Sequence, residues 1–199
     1  MTDIEKRSFA VEEIRADNSE GKREISGYAA VFNSETRINK WLIEKIAPGA
    51  FTDTILSDDI RSVWNHESSF VLGRNKNGTL FLSEDQRGLA SRVLPPKGVL
   101  FDGFMENINR GDVDQMSFAF RTISDSWEEN EDGTETRTLL KVQLFEVSPV
   151  TFPQYTDTTV ALRSLEKIKE SRGSEPTKKM PDYSHLKEED ALFKSIMGV

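Results

Sequence analysis

Val113-Asp-Gln-Met-Ser-Phe-Ala-Phe-Arg-Thr-Ile-Ser-Asp-Ser-Trp127 runs into an acidic stretch, Glu128 to Glu135, and then into Thr138-Leu-Leu-Lys-Val-Gln-Leu-Phe-Glu-Val147. Both flanks have the β-branched and aromatic content of extended chain, so the whole reads as a long hairpin with a solvated acidic tip. Two polar residues stand inside these flanks. Ser117 lies between Met116 and Phe118, and Glu146 between Phe145 and Val147, in strands otherwise built for an interior. A buried carboxylate is costly unless it is paired, so Glu146 calls for a hydrogen-bonding or cationic partner.

Working back from the hairpin, Pro95-Pro-Lys-Gly98 ends a sheet, and Leu100, Phe101, Phe104, Met105 and Ile108 then fall at helical spacing over Val99–Arg110 with Gly111 just beyond. A stripe of this composition predicts a helix packed on a sheet. The N-terminal half reads as strands and tight turns: Ile4 to Val11, Arg23 to Phe32, Lys40 to Ile46, Ile60 to Asn65, Thr79 to Ser83 and Leu89 to Leu94, with a short helix over Ala50 to Leu56. In Lys40–Ile46, alternation places Trp41, Ile43 and Lys45 on one side. Gly27 weakens its strand unless a bulge or a close backbone approach needs it.

The 199 residues allow one domain with a real core plus an appendage. No apolar run approaches the roughly 18 residues of a membrane span, and Met1 to Val11 lacks the apolar centre of a secretion signal, so no membrane association is expected. The absence of cysteine excludes disulfides, thiolate metal sites and a cysteine nucleophile. Two histidines far apart are poor material for a metal site, and no cofactor is expected. Residues 165–199 carry seven basic and seven acidic side chains, so the 19 basic and 27 acidic residues of 1–164 hold the whole net charge of −8. Phosphate affinity needs clustered Lys and Arg, so nucleic acid is not an expected partner and proteins are.

His66, in Trp64-Asn-His-Glu67, closes the run that begins at Ile60. Imidazole exchanges protons near neutrality, which makes His66 a candidate general base; a half-buried histidine with both nitrogens satisfied is the plainer alternative. A nucleophilic serine needs a base, and the base is helped by a carboxylate that orients it. His66, Ser117 and Glu146 supply one of each, although strands carry serine and glutamate on outer faces for no catalytic reason.

Five blocks in register resemble the prohead maturation proteases of tailed bacteriophages: Gly27-Tyr-Ala-Ala-Val-Phe-Asn33, Glu44-Lys-Ile-Ala-Pro-Gly-Ala-Phe51, Trp64-Asn-His-Glu67 with Leu72-Gly-Arg74, Met116-Ser-Phe-Ala-Phe120, and Leu144-Phe-Glu-Val-Ser-Pro-Val-Thr-Phe-Pro153. The resemblance implies a serine endopeptidase that cuts the scaffolding part of the major capsid protein, and itself, inside the procapsid in the host cytoplasm. It carries the base onto His66 and the nucleophile onto Ser117. The distantly similar herpesvirus assemblins place a second histidine where this chain offers Glu146; Glu67 and Asp114 are rivals for that role. The implied fold is mainly β with flanking helices (α+β), with an antiparallel β-barrel-like core. The expected partners are the major capsid protein with its scaffolding segment and a second copy of the chain in a homodimer. A non-enzymatic capsid-assembly or scaffold-binding module on the same fold is the alternative. Ala119 and Gln154 depart from the family pattern, which favours glycine and a small residue there.

After Arg163 the composition changes. We expect a protease domain over 1–164, a flexible linker over 165–181, and a short amphipathic tail over 182–199 bearing Leu186, Leu192, Phe193, Ile196 and Met197. That tail reads equally as a docking peptide, a segment removed in maturation, or a frayed terminus.

Overall fold

A computed structural model describes residues 4–10, 14–19 and 22–152. The expected linker and tail, and with them His185 and Gln154, lie outside the described residues. In chain order the elements are β1 (Glu5–Ala10), β2 (Arg15–Asp17), β3 (Glu24–Val31), β4 (Thr36–Arg37), β5 (Leu42–Ile46), α1 (Thr52–Ser57), β6 (Arg61–Trp64), β7 (Glu67–Arg74), a single 3-10 turn (Asn75–Asn77), β8 (Leu80–Glu84), β9 (Gly88–Val93), α2 (Val99–Asn109), β10 (Gln115–Glu129) and β11 (Glu135–Val150).

The fold is mainly β with flanking helices, as expected. The barrel-like core is not found. A seven-stranded sheet runs β1-β10-β11-β5-β4, with β6 on β11 and β7 on β6, and a separate four-stranded sheet runs β2-β3-β9-β8. Each keeps its edge strands, so neither closes on itself. Nor is the pairing wholly antiparallel, because β11 pairs in parallel with both β5 and β6.

The long hairpin organises the larger sheet. β10 covers one edge of β11 throughout, from Gln115↔Val150 to Glu129↔Glu135, with three irregularities in register. The other edge of β11 takes β5 at its start and β6 near its end. Between them the sheet edge would be left open, and backbone N–H groups there need acceptors. Ala50 O accepts from Val142 N at 3.1 Å, and the buried Thr54 hydroxyl accepts from Leu144 N at 2.8 Å. The short helix α1 is therefore a plug between two strands. The tip of the hairpin is less solvated than its acidic sequence predicts: Thr134 and Glu135 are buried, and Glu135 N donates to Trp41 O at 2.8 Å.

Phe51, Phe118, Phe120, Ile60, Trp64, Leu72, Leu139 and Val147 share one core with Ile25, Leu80, Leu89 and Val93 of the smaller sheet. Phe51 meets Phe118 edge-on with centroids 5.5 Å apart. Helix α2 packs as its stripe predicts, burying Met105 and Ile108 and stacking Phe104 on Trp64 at 4.3 Å, although Leu100 stays half exposed. The bulge that Gly27 suggested occurs in β3 between Tyr28 and Ala30. It interrupts the alternation of the strand, so Ala29 and Ala30 are both buried.

Strand β5 alternates as expected, with Trp41, Ile43 and Lys45 on its outer side. Its interior face is Leu42, Glu44 and Ile46, with a glutamate among the apolar residues. The reason is a buried ionic cluster. Glu44 takes hydrogen bonds from Arg7 Nε at 2.5 Å and Arg137 Nη1 at 3.1 Å, while Glu5 takes them from Arg7 Nη2 at 2.7 Å and Arg137 Nη1 at 2.8 Å. Arg137 also reaches Asp125 at 2.8 Å and Thr122 Oγ1 at 2.7 Å. Desolvation opposes every one of these charges, but paired and hydrogen-bonded charges hold one another in place. Burial raises the Glu5 pKa, yet the hydrogen bond from Arg137 and the Arg7 and Arg137 charges outweigh it and leave the carboxyl below its ordinary value. Burial likewise pulls Arg137 down, and Glu5 and Glu44 more than reverse it.

Candidate active site

Three strands of the larger sheet and one turn build the site. Ser117 is near the start of β10, between β1 and β11, opposite Ser8 of β1 and Ser148 of β11. Glu146 is two residues before Ser148 on β11 and pairs with Ala119. Residues opposed in an antiparallel ladder, and those two apart along one strand, share a face. Ser117, Glu146 and Ser148 therefore project from the same side of the sheet, while Phe118 and Val147 point to the core. The alternation that made Ser117 and Glu146 look misplaced in sequence is what puts them together.

His66 arrives by a tight turn. Trp64 pairs with Glu67, leaving Asn65 and His66 as a two-residue hairpin loop with φ of 52° and 60°. Two left-handed residues in succession are the geometry of a type I′ turn, which suits Asn at the first position and strains a histidine at the second. The turn is fastened to the end of β11. Asn65 N donates to Pro149 O at 2.9 Å, Asn65 Nδ2 donates to Thr151 Oγ1 at 3.1 Å, and Thr151 N donates to Asn65 Oδ1 at 2.8 Å. The same strand thus holds Glu146 and anchors the turn that presents His66.

The imidazole lies between the other two groups. Nδ1 contacts Glu146 Oε1, and Nε2 is 2.7 Å from Ser117 Oγ. The His66 side chain is 3% exposed and that of Glu146 17%. Ser117 is fully buried, and its hydroxyl also donates to Arg7 O at 2.8 Å. One hydroxyl proton faces two acceptors, so its position follows the imidazole. With Nδ1–H turned to Glu146 and Nε2 bare, Nε2 takes the Ser117 proton as acceptor. Once the ring carries two protons, Nε2–H donates to Oγ and the hydroxyl proton turns to the Arg7 carbonyl.

The rivals for the third position are elsewhere. Glu67 accepts from Ser69 Oγ at 2.9 Å and Ser69 N at 3.2 Å, contacts that hold its pKa below the ordinary value. Asp114 is exposed in the loop leading into β10. Among the described residues no group of three or more His, Cys, Asp or Glu is placed to hold a metal ion, and no helix is long and apolar enough to cross a membrane. Sequence reading missed the Arg7 carbonyl, the Asn65–Thr151 clamp and Ser148. Ser148 alone left a signal, its spacing of two from Glu146.

A hydroxyl, an imidazole and a carboxylate in one hydrogen-bonded line form the arrangement of a Ser-His-acid hydrolytic site. The chain belongs to the family described as Caudovirus prohead serine protease, which it matches over residues 10–171. Among solved structures, that of the bacteriophage T4 capsid assembly protease, gp21, is similar with a TM-score of 0.48 and 11% identity, covering 75% of this chain and 98% of that one. No curated protein matches the chain.

Proposed function

We propose that this chain is a prohead maturation serine endopeptidase in which Ser117 is the nucleophile, His66 the general base and acid, and Glu146 the carboxylate that orients the imidazole. The observation that carries the reading is the continuous contact from Ser117 Oγ through both ring nitrogens of His66 to Glu146. Ser117 Oγ attacks the scissile carbonyl carbon as Nε2 takes the hydroxyl proton. The tetrahedral adduct collapses, the amine leaves with the proton from Nε2, and Ser117 is left acylated. Water, deprotonated by the same nitrogen, then hydrolyses the ester. Glu146 keeps a proton on Nδ1 and balances the imidazolium charge.

The substrate in this reading is the scaffolding part of the major capsid protein, with the chain itself as a second substrate, and the reaction takes place inside the procapsid. Family membership supports this assignment. Because Ser117 is fully buried, a peptide reaches it only when the residues covering that face give way. The test is co-assembly of the full chain with capsid protein, followed by mass spectrometry of both. We expect capsid-protein and self-cleavage products with the parent and none with Ser117→Ala or His66→Ala, the double variant being no worse than either alone. Cleavage by Ser117→Ala would overturn the assignment, and normal assembly without cleavage by the parent would favour the binding module.

A further inference from the structure

The nucleophile occupies an unusual place for acyl transfer. A tetrahedral adduct places negative charge on the former carbonyl oxygen, and the site must aim hydrogen-bond donors there. Backbone N–H groups beside the nucleophile are the usual source. Here β10 is paired on both edges from Gln115 to Ala119, with β1 on one side and β11 on the other. The ladders claim the N–H groups of Ser117 and its neighbours. Nor is Arg7, whose carbonyl meets the Ser117 hydroxyl, available: its guanidinium is held by Glu44, Glu5 and the Lys6 carbonyl.

One donor next to Ser117 has no other use. Ser148 is directly opposite Ser117 on β11, on the same face as Glu146, and is fully buried. Among the described residues its Oγ has no hydrogen-bond partner. Opposed residues in an antiparallel pair bring their Cβ atoms to about 5 Å, which puts the Ser148 hydroxyl within reach of an oxygen bound to a carbon on Ser117 Oγ. A buried hydroxyl without a partner costs folding free energy, and it is poised for an acceptor that arrives later. Resting on the protease reading above, we propose that Ser148 is a catalytic residue whose hydroxyl donates to the oxyanion of the acyl-transfer adduct. As the Ser117 Oγ–carbon bond forms and the proton passes to His66 Nε2, the carbonyl π pair moves onto oxygen and accepts from Ser148 O–H. When the pair returns and the C–N bond breaks, the hydrogen bond is released.

Ser62 provides an internal control. Its hydroxyl is also buried and, among the described residues, unpartnered, but Ser62 pairs with Val147 and so faces the core, away from Ser117. The test uses the full chain and diisopropyl fluorophosphate, whose phosphoryl oxygen takes the oxyanion position when Ser117 is phosphorylated and fluoride leaves. Labelling is followed by intact mass, and thermal stability by calorimetry. Labelling of the parent and not of Ser117→Ala establishes the nucleophile; an unlabelled parent overturns the protease reading and this proposal with it. With the nucleophile established, Ser148→Ala should label about 10²- to 10³-fold more slowly, the usual loss for one oxyanion donor. Its Tm should be unchanged or higher, because an orphaned hydroxyl has been removed, and the pH dependence of labelling should keep its shape. Ser148→Thr, which keeps a hydroxyl, should recover most of the rate, and Ser62→Ala should match the parent. Ser148→Ala labelling at the parental rate overturns the proposal. So does a loss of rate that comes with a lower Tm, shifts the pH profile and is not rescued by threonine.

Discussion

Glu146→Gln removes one negative charge from the site and changes almost nothing in shape. In the parent, Glu146 Oε1 faces Nδ1, and Nε2 faces Ser117 Oγ. A glutamine can meet Nδ1 in two ways. If its NH2 group donates, Nδ1 loses its proton, Nε2 gains one, and the nitrogen that should accept from Ser117 can no longer do so. If its carbonyl oxygen accepts, the tautomer survives but the imidazolium formed during attack has no countercharge. Two unit charges about 3 Å apart at an effective dielectric of about 20 attract by roughly 5 kcal/mol, and the partial exposure of Glu146 trims that. Both routes lead to a loss of about 10³- to 10⁴-fold in kcat, or roughly 4 to 5.5 kcal/mol, comparable to the Asp→Asn change in the trypsin-like triad. The assay is single-turnover cleavage of capsid protein beside the parent, with a substrate titration. Because Glu146 lies behind the imidazole, KM should hardly move. Parental turnover by Glu146→Gln would refute the orienting role and assign it to water.

Four further outcomes follow from other parts of the chain. Glu44→Gln leaves the buried Arg7 and Arg137 short of a countercharge and should cost about 3–5 kcal/mol, seen by calorimetry as a Tm lower by roughly 6–20 °C. Because the Glu5 pKa is lowered on folding, its stabilising contribution is present above the ordinary carboxyl value of 4.5 and is lost as pH falls through the lower folded value. Calorimetry should show stability falling on that acid side, with a shallower fall in Glu5→Gln. Asn65→Ala puts a Cβ-bearing residue without a local hydrogen bond at φ 52° and removes both Thr151 contacts; it should lower stability by about 1–2 kcal/mol and turnover with it, whereas Asn65→Gly should lose less stability. A chain ending at Ser164 should fold and accept a fluorophosphonate on Ser117, yet enter procapsids poorly; an unfolded product on circular dichroism would mean that the proposed domain boundary at residue 164 is wrong.

The long hairpin and α2 were legible because each follows one period for many residues. The triad candidates were legible for a related reason. A serine in Met116-Ser-Phe118 and a glutamate in Phe145-Glu-Val147 interrupt apolar runs, and interruption is visible without knowing which strands pair. What failed was whatever depends on pairing partners. Alternation in β5 does not say which side is interior, because what makes Glu44 a buried residue is Arg7 and Arg137, 37 and 93 positions away in the chain. Strand β7 was missed because Glu67, Ser68 and Ser69 are exposed, leaving little alternation to detect at its start. The parallel placement of β5 and β6 along β11 depends on α1 filling the gap between them, which no local pattern announces.

The buried ionic cluster bears on how a substrate could enter. Arg7 is fixed twice: its carbonyl accepts from Ser117 Oγ, and its guanidinium is locked between Glu5 and Glu44 under the other face of the sheet. Peeling β1 from β10 to expose the nucleophile would therefore break a six-residue ladder and strip the partners from buried Glu44 and Arg137, at a cost of several kcal/mol. Lifting the Asn65-His66 turn would cost less, since it is held by three hydrogen bonds, but it would carry the base away from the serine. Neither strand exchange at the β1 edge nor opening of the turn is compatible with both access and chemistry. A scissile peptide must then approach over the face of the sheet that Ser117, Glu146 and Ser148 share, with β1 and the turn left in place. On that path, with the roles proposed above, the carbonyl carbon would meet Ser117 Oγ with its oxygen toward Ser148, and the leaving amine would face His66.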